Sequence, residues 1–74
     1  MSELVREATR EGRRVAVLRC YDGEGVTIVE AEVSPVRGGD LVQRGPYRFR
    51  TATDAFRFVQ ESLLALQYLG CAVQ

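Results

Sequence analysis

Glu30 and Glu32 lie two residues apart in the run Val26-Thr27-Ile28-Val29-Glu30-Ala31-Glu32-Val33, spaced as acid–base carboxylates on one strand face would be. A simpler use for them is as cross-strand partners of Arg19 and Arg48. The chain has no histidine. Neither a Ser-His-Asp nor a Cys-His device can therefore be built, and the commonest metal ligand is missing. Cys20 and Cys71 are far apart in sequence, and neither belongs to a Cys-x-x-Cys motif, so both read as small buried hydrophobes. The glycines form neither Gly-x-Gly-x-x-Gly nor a phosphate loop, which leaves a nucleotide cofactor without support. The expectation is a protein that binds without catalysing, with no metal and no small-molecule cofactor.

Binding chemistry is better represented. Every cation is arginine, ten of them against ten Asp and Glu, for a formal net charge of +0. No global field therefore draws the protein toward phosphate or a membrane surface. The balance is uneven locally: residues 1–32 hold five Arg against seven acids, whereas residues 37–57 hold five Arg against only Asp40 and Asp54. Exclusive use of arginine follows first from a G+C-rich genome, and it also supplies planar donors suited to phosphate and base stacking. In Tyr47-Arg48-Phe49-Arg50 aromatic and basic residues alternate with a period of two, which marks a strand with one buried and one wet face. Arg48 and Arg50 on that wet face are candidate phosphate contacts.

These groups need a scaffold to position them. Arg13-Arg14-Val15-Ala16-Val17-Leu18-Arg19-Cys20-Tyr21 is rich in β-branched residues and runs into Asp22-Gly23-Glu24-Gly25, a turn sequence. A hairpin follows, its second arm being the Val26 run, which ends near Pro35. Residues 37–46, glycine-bearing at both ends, read as a loop or a wide hairpin tip. The C-terminal helix is the best-signposted element. Thr51 or Thr53 caps it, Asp54 sits in its first turn, and Gly70 ends it, bracketing roughly 16 residues. Residues 3–11 are ambiguous between a short helix and a strand.

A chain of 74 residues allows one domain, and at this size only about 60% of the unfolded surface is buried. Two cysteines make no disulfide framework, so a partner subunit is the expected support. The charged N-terminus carries no signal peptide, and no apolar run approaches the roughly 18 residues of a membrane span, so a cytosolic location is expected. On the helical wheel Ala52, Ala55, Phe56, Val59, Leu63 and Leu66 form the stripe expected to face the sheet. Phe58, Leu64, Ala65 and Tyr68 fall on the rear, among Arg57, Gln60, Glu61 and Gln67. Apolar side chains there point to a subunit contact. In the sheet, Ala16, Leu18, Cys20, Val29, Ala31 and Val33 are expected beneath the helix. Val15, Val17, Arg19, Ile28, Glu30, Glu32, Arg48 and Arg50 are expected on the other face.

Gly12-Arg13-Arg14, the β-run, the turn, the Val26 run, and a helix opening Ala55-Phe56-Arg57 and closing Leu66-Gln67-Tyr68-Leu69-Gly70 together resemble the PUR repeat. That family comprises purine-rich single-stranded nucleic-acid-binding proteins with a Whirly-like fold, and the likeness spans nearly the whole chain. It implies an α+β fold, an antiparallel sheet of three to four strands followed by one C-terminal helix (ββββα), with two copies interlocking as a homodimer. It also implies that residues 3–11 are a first strand. By this resemblance Arg13 and Arg14 match the basic opening of the β-run, and Arg19 and Tyr21 lie on a strand that helps form the nucleic-acid surface. Arginine contacts phosphate and stacks, and tyrosine offers a π-face to an unpaired base. The acidic turn Asp22-Gly23-Glu24-Gly25-Val26 departs from the family, where that hairpin is basic and leads into an aromatic, and it opposes phosphate. A double-stranded-RNA-binding αβββα domain and the HicB-like antitoxin fold share the pattern, the latter through Thr51-Ala52-Thr53-Asp54-Ala55. A regulatory dimerisation module without nucleic-acid binding is the alternative function.

Overall fold

A computed structural model describes residues 3–35 and 40–74. Its elements are β1 (Leu4–Arg10), β2 (Arg13–Asp22), β3 (Thr27–Val33), β4 (Val42–Phe49), α1 (Ala52–Tyr68) and β5 (Ala72–Val73). The strands form one antiparallel sheet in the order β4-β3-β2-β1-β5, with α1 laid across one face. The α+β architecture is the expected one, with β5 added at the far edge. Residues 3–11 supply β1, which settles their ambiguity in favour of a strand. It turns into β2 through Glu11 and Gly12, both at positive φ (54° and 77°), the two-residue geometry that matches strand twist. Glycine occupies that conformation without steric cost.

Residues 37–46 are only partly a loop. Positions 36–39 lie outside the described residues, but Val42 onward is strand, and Gly45 and Pro46 sit within β4 where the register slips between Val29 and Ala31. Tyr47 pairs with Val29 and Arg44 with Ala31, so β4 carries one extra residue there. Proline is tolerated because β4 is an edge strand with no neighbour needing its N–H.

Thr51 caps α1: its Oγ1 accepts from the Asp54 N–H at 3.1 Å. At the other end Gly70, at φ 93°, lets Cys71 N–H reach Leu66 O and Gly70 N–H reach Gln67 O, each at 3.0 Å. This double bond pattern satisfies the last carbonyls and turns the chain into β5. Leu18, Cys20, Val29 and Ala31 meet Ala55, Val59 and Leu63 in the main core. Ala8, Ala16 and Cys71 form a second cluster, joined to the first through half-buried Leu66 and Val73.

Four expected orientations are corrected. Val15 packs against the second cluster, on the helix side, because β2 has a bulge: Ala8 pairs with Ala16 but Thr9 pairs with Arg14. Phe58, expected on the helix's rear, is half-buried against the core, its ring centroid 5.1 Å from Tyr47 and 5.3 Å from Phe49. Phe56, expected inside, is 50% exposed, and Ala52 is exposed as well. The two phenylalanines flank the Val59 axis at about 60° and about 100° on opposite sides. The aromatic pair on β4 draws the helix toward Phe58. Phe58→Ala should therefore cost about 2–3 kcal/mol in urea unfolding, and Phe56→Ala less than about 1 kcal/mol. The reverse order would contradict this packing.

Candidate functional site

Among the described residues, no element covers the sheet face away from α1. Strand alternation and register decide what it presents: Arg19 pairs with Glu30, Tyr21 with Ile28, Ile28 with Arg48, and Val17 with Glu32, which pairs in turn with Gln43. Arg19, Tyr21 and Arg48 are thus brought together within two strand spacings, roughly 10 Å. Arg50 follows β4 and borders a shallow hollow with Asp22, Gly23 and Val26, beside the acidic turn. Arg14 belongs to the other end of the face. Its Nε lies 2.9 Å from Glu7 Oε1, a partner that sequence reasoning missed because only the β2 bulge turns Arg14 toward β1's outer residues. As consecutive strand residues, Arg13 and Arg14 do not share a face.

The carboxylates have other work than expected. Glu30 sits directly across from Arg19, yet neither it nor Glu32 forms an ion pair with Arg19 or Arg48. Glu30 Oε1 instead accepts the Tyr21 hydroxyl at 2.8 Å. That bond, more than partial burial and the charges of Glu30 and Glu3, raises the Tyr21 phenol above its ordinary 10.0. Among the described residues, Arg19, Arg48 and Arg50 are exposed cations with no ion pair. Val17 is buried at the centre of the face, and Ile28 is half-buried beside Arg48. This arrangement offers phosphate-binding cations, one oriented phenol and an apolar floor. It also sets two carboxylates among them.

The remaining candidates lie elsewhere. Leu64, Ala65 and Tyr68 are exposed on the outer side of α1, whereas Phe58 is turned inward. Both cysteines are free and buried, and burial, then the Asp22 charge, raises the Cys20 thiol above its ordinary 9.0. Among the described residues, no three His, Cys, Asp or Glu side chains gather as metal ligands would, and no helix is long and apolar enough to cross a membrane.

Because the Tyr21 phenol is held neutral by the fold, its bond to Glu30 stabilises the protein fully below pH about 10 and is lost as pH rises through the raised folded value. In a background where Tyr47 and Tyr68 are phenylalanine, ultraviolet titration should find Tyr21 ionising above pH 10.0. Glu30→Ala should bring it down toward that value. An unchanged titration would show that the bond is not formed in solution.

Compared with models of known families, with curated proteins and with solved structures, the chain matches none.

Proposed function

We propose that this chain is a non-enzymatic cytosolic module that works as a homodimer and takes single-stranded DNA or RNA onto the open face of its sheet. The observation that carries the proposal is the set of exposed Arg19 and Arg48, without an ion pair among the described residues, flanking Tyr21 on a face that no described element covers. A flexible single strand follows a twisted sheet, contacts guanidinium groups through phosphate, and stacks unpaired bases on planar side chains. The net charge of +0 and the nearby carboxylates keep such binding modest and confined to the arginines. Two free, buried cysteines suit a reducing compartment.

A protein partner for the same face is favoured by one feature: Glu30 and Glu32 stand beside the Val17 floor, a mixed surface of the kind that protein interfaces use. Fluorescence anisotropy with labelled single strands at two salt concentrations separates these uses. With about three phosphates engaged per face, log affinity should fall against log salt with a slope near −2. Replacing Arg19 and Arg48 together by glutamate should weaken binding by more than about tenfold. No binding at low salt, or binding without a salt slope, rejects the nucleic-acid reading. A protein ligand captured equally well by that double variant would put the partner on the apolar floor.

A further inference from the structure

The chain leaves more surface in water than a protein of its mass ordinarily does. A folded monomer of 8.3 kDa is expected to expose roughly 4,600 Å², but this one exposes 5425 Å². The excess, about 800 Å², equals one partner's share of a standard protein interface. The radius of gyration, 12.4 Å, likewise exceeds the about 11 Å expected for the length.

Exposed apolar side chains locate part of that excess. Phe56 (50% exposed), Leu64 (51%) and Tyr68 (92%) stand four and eight residues apart on the outer side of α1, with Gln60 filling the remaining position of the same i±4 row. An i±4 row is one ridge of a helix, and two such ridges interdigitate in the commonest mode of helix packing, at about −50°. Beside Phe56 runs a groove of about 520 Å³ between the N-terminal half of α1, the start of β1 and the end of β2, lined by apolar Leu4 and Val59, by the charged Glu3, Arg6 and Asp22, and by Tyr21.

We infer that a second copy of this chain seats on this ridge and groove, α1 crossing its counterpart at Gln60 about a twofold axis. The ridge bears no charge, the groove holds charges of both signs at Glu3, Arg6 and Asp22, and two chains of net charge +0 meet without net repulsion. This deepens the homodimer reading above and rests on it, naming the surface that pairs. The ridge lies on the opposite side of the sheet from Arg19 and Arg48, and the groove meets the open face only at Tyr21, on its border.

Light scattering on the full chain tests it, with two variants at exposed positions. The parent should weigh twice 8.3 kDa, and Leu64→Glu, with its circular dichroism unchanged, should weaken the dimer by at least about 100-fold by burying an unpaired charge. Facing residues at a helix crossing come within disulfide range, and both native cysteines are buried. Gln60→Cys should therefore link two copies on oxidation, whereas Glu24→Cys should not. A dimer indifferent to Leu64→Glu, or one that Gln60→Cys fails to link, overturns this surface and leaves the homodimer reading standing. A parent that stays monomeric at high concentration overturns both. Loss of nucleic-acid binding alone touches neither.

Discussion

One helix cannot cover both faces of a five-stranded sheet, and the architecture of this chain follows from that shortage. The 17 residues of α1 make a rod about 25 Å long, enough to bury one stripe through Ala55, Val59 and Leu63. Beneath it the strands are apolar at alternate positions, with Leu18, Cys20, Val29 and Ala31 excluded from water. Burial of side chains of this kind contributes about 1.5–3 kcal/mol each for the larger ones, and it fixes the register. Slipping β2 or β3 by one residue would bring Arg19 or Glu30 under the helix. The charged set is held on the open face because the apolar set is held on the other.

That same constraint governs what was readable beforehand. The ends of α1 were legible because caps are local chemistry: Thr51, Asp54 and Gly70 act through neighbours three or four residues away. The alternation at residues 47–50 and the turn at residues 22–25 were legible for the same reason. Features that depend on distant partners were not. The turn at Glu11 and Gly12 has a non-glycine residue at positive φ, which sequence rules rarely anticipate. The bulge that turns Val15 inward and Arg14 outward is a matter of pairing with β1, and nothing in the β2 sequence announces it. The wheel sets Phe56 nearer the core axis than Phe58, and only the β4 aromatics reverse that order. A two-residue β5 carries no periodic signal at all, being held by Gln74 and Glu7 exchanging backbone bonds.

The open face shows how a neutral chain can present unpaired arginines. Glu30, directly across from Arg19, is engaged by the Tyr21 hydroxyl, and Glu7 is engaged by Arg14 at the far end. The resulting surface alternates cation, phenol and apolar floor without forming a uniformly basic field. It differs from the helix side, where Phe56, Leu64 and Tyr68 are exposed among Gln60, Arg57 and Glu61. The two sides invite different chemistry, free arginines beside a phenol on the sheet and a row of large apolar side chains on the helix, and the proposed roles divide along that line.

The most direct test of this division is an amide chemical-shift map of the isotopically labelled protein titrated with a single-stranded oligonucleotide at low salt. Shifts should concentrate on β2 and β4 around Arg19, Tyr21 and Arg48, with the amides of Phe56, Leu64 and Tyr68 unmoved. Shifts centred on the outer side of α1, or none anywhere, would contradict it.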